Sequence, residues 1–118
     1  MTERQSDEEL IKQYAAAAAR HHRETLEGTP RAANRQHDIL AAAYRELRKR
    51  GAGAQNKLLS LLDDPDAGVR SWAAAHALEF APAAGEPVLQ EIARIPGLTG
   101  FNAQMTLQEW KKGRLQFP

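Results

Sequence analysis

The segment that ends at Leu78 constrains the fold of this chain more than any other. It reads KLLSLLDDPDAGVRSWAAAHAL, and its first part offers an apolar face at helical spacing, made by Leu58, Leu59, Leu61 and Leu62. Pro65 lacks a backbone N–H and biases the residue before it away from helix, so the first helix ends here. The carboxylate of Asp66 can accept hydrogen bonds from the first-turn amides of a second helix. The segment therefore predicts two short helices joined by a tight turn.

The second helix of this segment has one side made of small and apolar residues. Helical spacing brings together Val69, Ala73, Ala74, Ala77 and Leu78. Alanine side chains allow another helix to approach closely, so we expect this side to form part of a helix–helix core.

The same residues resemble a HEAT-type helical repeat. Paired leucines, Asp-Pro-Asp, Val69-Arg70 and paired alanines follow one another in the register of one complete HEAT unit. The resemblance implies that Arg70 pairs with Asp64 or Asp66, or with a neighbouring turn, which is a structural role. It also implies an all-α fold, specifically a HEAT-like α-α superhelix, or short solenoid.

Helix start and stop signals divide the rest of the chain. Ser6 and Glu9 form a capping box that begins a helix ending near Gly28, and Thr29-Pro30 begins the next, which continues to about Arg50. A turn over residues 82–87 leads into a short helix, and Thr99 or Gly100 opens the last one, which Gly113 stops. We expect one domain over residues 1–118, with helix pairs at roughly 6–50, 54–80 and 85–112. Three stacked pairs are about what an independent repeat core needs.

The order of these features over nearly the whole chain resembles a small bacterial HEAT-like family of unknown function. The family carries no established catalytic motif. Some small helical-repeat proteins of this size are immunity proteins for bacterial toxins. By analogy, the resemblance suggests an immunity protein that covers the active site of a toxin.

Composition limits the other function classes. The 118 residues include no cysteine, which excludes disulfide and thiol chemistry, and the net charge of +1 gives no global field for nucleic acid or acidic membranes. No apolar run approaches the ~18 residues that would indicate a membrane span. The first ten residues are polar and acidic and do not resemble a secretory signal. We therefore expect a cytoplasmic protein without a membrane partner.

The sequence does not specify catalytic chemistry. It contains no metal-binding histidine pair of the H-E-x-x-H type, no glycine-rich phosphate loop and no serine in a nucleophile elbow. Asn34, His37 and Asp38 lie on neighbouring turns of one helix face and are the candidates for an enzymatic or metal-dependent alternative. We expect a polar, solvated helix face there, and hence no enzyme, no cofactor and no metal site.

A protein-binding surface is the leading functional hypothesis. Tryptophan and arginine are enriched among binding hot spots, and Trp72 lies one helical turn before His76. The predicted partner-binding residues are Arg35, Asp38, Arg45, Trp72 and His76. The alternative is a nucleic-acid-binding repeat that uses the basic second helix. Residues 31–50 contain six basic residues and two acidic ones. Those six are Arg31, Arg35, Arg45, Arg48, Lys49 and Arg50.

Overall fold

A computed structural model describes residues 4–118. These residues form six α-helices and one 3-10 helix and contain no β-strand, which confirms the predicted all-α class. The helices are α1 Asp7–Leu26, α2 Pro30–Arg50, α3 Ala52–Asn56, α4 Ala67–Phe80, α5 Pro82–Ile92 and α6 Leu98–Lys111, with the 3-10 helix at Lys57–Asp63 between α3 and α4. In the part of the chain described, no helix combines the length and apolar character needed to cross a bilayer.

The described residues divide into two units with separate sets of internal contacts. Unit 1 comprises residues 4–58 and Pro118, and unit 2 comprises residues 59–117. The boundary falls inside the 3-10 helix, so the predicted helix pair 54–80 is shared between units. The assignment of the whole chain to one domain stays a prediction.

Unit 1 is built on α1 packed against α2. Asp7, in the first turn of α1, bonds Arg50, the last residue of α2, and their charged atoms are 2.9 Å apart, so the two helices run antiparallel. Tyr14 and Tyr44 are fully buried in the unit. The hydroxyl of Tyr44 accepts a 2.9 Å hydrogen bond from the side-chain amide of Gln55, which satisfies a polar atom that burial removes from water.

The ends of α1 follow the predicted capping pattern. The Ser6 hydroxyl accepts from the Glu9 amide at 3.1 Å, and the Ser6 amide donates to the Glu9 carboxylate at 3.2 Å, which completes the capping box. Gly28 ends the helix with φ of +76°, a conformation that glycine adopts without a Cβ penalty.

Thr29 does not cap α2 as predicted. Its hydroxyl donates to the carbonyl of Glu24 at 3.0 Å, so it binds the end of α1 and makes no side-chain bond to the first amides of α2. Pro30 at the start of α2 lacks one of those amides, which reduces the need for a cap.

The four leucines before the Asp-Asp-Pro-Asp turn lie on a 3-10 helix and not on an α-helix. The 3-10 helix covers Lys57–Asp63. Its period of three residues explains why Leu58 and Leu61 are both buried while Leu59 and Leu62 are both half-buried.

The turn into α4 has the geometry that the sequence predicts. The Asp66 carboxylate accepts from the amides of Gly68 at 2.7 Å and Val69 at 3.2 Å. The Arg70 guanidinium donates to the backbone carbonyl of Asp64 at 2.7 Å, and its pairing with an aspartate carboxylate as in a HEAT repeat stays a prediction. The Asp64 carboxylate accepts from the Asp66 amide at 2.8 Å, which fixes the turn.

Unit 2 packs α4 against α5 and α6. The apolar side predicted for α4 is buried, and its small residues meet larger ones of the other two helices. The buried cluster contains Ala74, Leu78, Leu89, Ile92, Ala103 and Leu107, with Trp110 half-buried against it.

Two helix starts differ from their predictions. Helix α5 begins at Pro82 and includes Pro87, so the predicted turn over residues 82–87 is already helical. Pro82 suits a first helical position, and Pro87 removes only one later hydrogen-bond donor. Helix α6 begins at Leu98, after Gly97 with φ of +92°, slightly before the predicted Thr99 or Gly100.

A close approach between α4 and α5 depends on Gly85. A Cβ at this position would lie 2.5 Å from the carbonyl oxygen of Ala74 and 3.1 Å from the Cβ of Ala77. A backbone oxygen cannot rotate away, so a methyl group here requires the two helices to separate.

We expect Gly85→Ala to lower the free energy of unfolding by about 1–3 kcal/mol, the usual cost of overpacking. The matched control is Gly53→Ala, because Gly53 is also helical and has open space around its Cβ position. Alanine there should leave stability unchanged or raise it by about 0.5–1 kcal/mol. Thermal unfolding followed by circular dichroism measures both, and equal midpoints for the two variants would contradict the packing argument.

Candidate functional site

Helix α2 presents a row of exposed side chains opposite its buried side. Its buried residues include Leu40, Tyr44 and Leu47, which face the core of unit 1. Steps of three and four residues along the other side keep the exposed positions on one face. We call this row the α2 outer face: Arg31, Arg35, Asp38, Ala42, Arg45 and Lys49, all exposed.

The α2 outer face carries an excess of positive charge. Four of its six residues are cationic and one is anionic. Within residues 4–118, the charged groups of these four cations make no ion pair, so their N–H donors remain available. The Asp38 carboxylate is 84% exposed and lies 3.8 Å from the imidazole of His37. Exposed Ile39 beside the row, at 37%, adds an apolar contact.

Two other basic residues of α2 have structural partners. The Arg50 side chain is only 9% exposed and bonds Asp7 at 2.9 Å and Glu46 at 3.2 Å. Hydrogen bonds from Arg50 and Lys57 hold the pKa of the Asp7 carboxyl below its usual value. The Arg48 guanidinium lies over the Tyr44 ring, 5.5 Å from its centroid, and donates to the Pro118 carbonyl. The predicted six-cation row is therefore reduced to four accessible cations.

The N-terminal end of the α2 outer face borders an open depression of about 530 Å³. Arg31, Ala32 and Arg35 line it together with the α1–α2 turn, residues 28–30.

Two histidines of unit 1 lie close together, which the sequence did not predict. The rings of His21 and His37 lie with their centroids 6.4 Å apart, across the two helices. Burial, and next the neighbouring His37, lower the pKa of His21 below its usual 6.5, while the Glu24 carboxylate opposes this. The sequence shows one of these histidines on each of the two helices. The distance between their rings depends on how α1 and α2 are aligned along each other, which the sequence does not give.

The trio Asn34, His37 and Asp38 does not form a recognisable metal centre. The aromatic neighbour of His37 is His21, and the Asn34 and Asp38 side chains are exposed. Among residues 4–118, no group of three or more histidine or carboxylate side chains is arranged to hold a metal ion.

The predicted residues on α4 differ in accessibility. His76 is only 3% exposed, and its ring lies 5.7 Å from that of Trp72, measured between centroids. A side chain buried to this degree cannot present its imidazole to a partner, so His76 is removed from the predicted surface. Trp72 is half-buried, and its role in binding stays a prediction.

The comparisons with known proteins identify the family of this all-α chain and a solved structure with a similar fold. The chain belongs to the family described as "Domain of unknown function (DUF2019)", which matches residues 8–110. It is similar in fold to the protein RPA1889 from Rhodopseudomonas palustris CGA009, known from a crystal structure. The TM-score is 0.86 and the identity 25%, over 98% of this chain and 96% of that one. No curated protein matches the chain.

The His21–His37 contact makes a testable prediction about pH. We expect the His21 imidazole to titrate below 6.5, and His37→Gln to raise its pKa because the substitution removes a neighbouring positive charge. His22→Gln is the matched control and should raise the pKa less. An NMR titration of the imidazole C–H signals measures all three, and a His21 pKa at or above 6.5 in the unchanged protein would contradict the prediction.

The lowered pKa of His21 also fixes the sign of its effect on stability. Below about pH 6.5 the unfolded chain binds more protons at this residue than the folded chain does. The His21 contribution therefore lowers the free energy of unfolding as pH falls below that value.

Proposed function

We propose that this chain is a non-enzymatic protein-binding module that binds an acidic surface of its partner through the α2 outer face. The proposal rests on the row of four cations, for which the described residues 4–118 supply no ion pair. Arg35 and Arg45 would bind carboxylates of the partner through their planar donor groups. Asp38 between them would accept from a basic group of the partner and so fix the register of the contact.

The chemistry of this face favours a protein partner. Arginine is enriched in protein–protein interfaces, and apolar Ile39 and Ala42 lie among the charges. A helix with 1.5 Å rise per residue separates Arg31 from Lys49 by ~27 Å. That length is compatible with a standard interface, which takes about 800 Å² from each partner.

A more specific arrangement of the helices is part of the same proposal. We propose that the helices form HEAT-like pairs in a short solenoid. Support comes from the bond of Arg70 to Asp64, because the HEAT resemblance implies that Arg70 pairs with Asp64, Asp66 or a neighbouring turn.

In its narrowest form, the proposal is that the partner is a bacterial toxin and that this chain is a cytoplasmic immunity protein. Its support is the analogy with small helical-repeat inhibitors. Because interfaces have complementary charges, a basic binding face predicts that the toxin surface covered by this chain is acidic.

The alternative is a nucleic-acid-binding helical repeat. Four cations in line along one helix favour it, since phosphates are bound by such rows. Asp38 within the row would repel phosphate, and no aromatic side chain lies on the face for base stacking.

Charge reversal on the α2 outer face tests the proposal. We expect Arg35→Glu combined with Arg45→Glu to weaken binding of the partner at least tenfold, because each carboxylate then meets a like charge. Lys12→Glu combined with Arg20→Glu is the matched control, since it makes the same charge change at exposed positions on α1. Affinity capture from native lysate with mass spectrometry identifies the partner, and calorimetry with the purified partner measures the three affinities.

The outcomes separate the candidates. Capture of one stoichiometric protein by the unchanged chain and the α1 variant, but not by the α2 variant, supports protein binding. If the captured protein is toxic and this chain suppresses its toxicity, the immunity proposal is supported. Equal affinities for all three chains contradict the proposed face. Recovery of nucleic acid, with affinity falling steeply as salt rises, supports the alternative.

A further inference from the structure

The positions of the α2 outer face follow a repeating order of steps. From Arg31 to Lys49 the six positions lie four, three, four, three and four residues apart. At about 100° per residue, these steps keep all six within roughly 80° of the helix surface. Alternating steps of three and four residues are the spacing by which one α-helix packs along another. The row therefore has the geometry of a face that packs lengthwise against a helix.

The centre of the row differs from its two ends. Ala42 is exposed and carries only a methyl group, and Ile39, which is 37% exposed, lies one helical turn before it at the side of the row. The cations lie toward the ends, two before this centre and two after it. A partner can therefore approach the backbone of α2 closely at the small, apolar centre while the long cationic side chains reach it at both ends.

An α-helix is the element that can meet this row without leaving backbone groups unpaired. A helix bonds its own backbone N–H and C=O groups internally, whereas a strand laid along α2 would meet side chains there and no backbone ladder. A partner helix also has the same rise of about 1.5 Å per residue, so its side chains keep register with the row over its whole length. One helix can thereby contact all four cations.

Helix α1 shows how an acidic helix binds cations of α2. It lies antiparallel to α2, and Asp7 in its first turn bonds Arg50, the last residue of α2, at 2.9 Å. Carboxylates are favoured in the first turn of a helix and cations in the last, so antiparallel packing brings the two together. Glu46, beside the row, also bonds Arg50, at 3.2 Å. A second antiparallel helix would bring its own first-turn carboxylates to Lys49 and Arg45 for the same reason.

We infer that the α2 outer face binds one acidic α-helix of its partner, antiparallel to α2, with carboxylates opposite the four cations and a basic residue opposite Asp38. This inference rests on the proposed function, to which it adds the secondary structure of the partner segment and the spacing of its charges. The segment has about 20 residues, the length that spans the row from end to end. An apolar residue near its middle lies opposite Ala42.

Synthetic peptides test the inference without the natural partner. The ordered peptide has about 20 residues on an alanine-rich background. Its four glutamates are placed opposite the four cations, its lysine opposite Asp38 and its leucine opposite Ala42. The shuffled peptide has the same composition, with these residues distributed around the helix. We expect the ordered peptide to bind at least fivefold more tightly in calorimetry at low salt, because the two peptides carry equal charge and differ only in its spacing.

Variants of the chain locate the contact and its direction. Arg35→Glu combined with Arg45→Glu should abolish the preference for the ordered peptide, and Lys12→Glu combined with Arg20→Glu should preserve it. A third peptide, in which the lysine and the leucine are exchanged, matches the row in the parallel direction and should bind more weakly than the ordered one. Circular dichroism verifies that the variants are folded and that the free peptides have similar helicity.

The outcomes separate this inference from the proposed function. Equal affinities of the ordered and shuffled peptides for the unchanged chain would overturn the helical spacing but leave binding of an acidic partner intact. Tighter binding of the exchanged peptide would overturn the antiparallel arrangement. Failure of every peptide to bind at low salt would overturn the inference, and the capture experiment with the natural partner then decides the proposed function separately.

Discussion

The contact of α5 with the backbone of α4 is the constraint on which unit 2 depends. With no side chain at Gly85, α5 lies against the carbonyl of Ala74 and the methyl group of Ala77. When two helices lie this close, small side chains are enough to fill the space between them. This explains how a core with few aromatic residues is packed without voids. A second close approach occurs at Gly100, where α6 lies against the backbone of Ile95. Gly85 thus sets how closely α5 lies on α4, and Gly100 sets how closely α6 lies on the chain before it.

Unit 1 combines its buried helix pair with ion pairs between the start of α1 and the end of α2. Carboxylates favour the first turn of a helix, and in α1 they include Asp7 and Glu8. The antiparallel arrangement puts them beside the end of α2, where Arg50 and Lys57 bind them.

The α2 outer face is the exposed surface on which the proposed function depends. The α2 outer face is cationic, and the proposed contact with an acidic protein is steered by charge and sensitive to salt.

The sequence by itself determined the helices and most of their ends, because caps, prolines and glycines act on their own neighbours. The Ser6 capping box, the stop at Gly28 and the Asp66 cap were all predictable for this reason. Three local predictions were wrong where contacts between elements decided the outcome: the 3-10 helix over the leucines, the bond of Thr29 to the end of α1, and the helical state of residues 82–87. Accessibility also required the tertiary structure, since helical spacing cannot tell whether His76 is buried or whether Arg50 is bound to Asp7. Exposed Phe101 and Met105 on α6 show the same limit, because apolar residues on both sides of a helix indicate burial in sequence. Only the packing of α4, α5 and α6 decided which side remains outside.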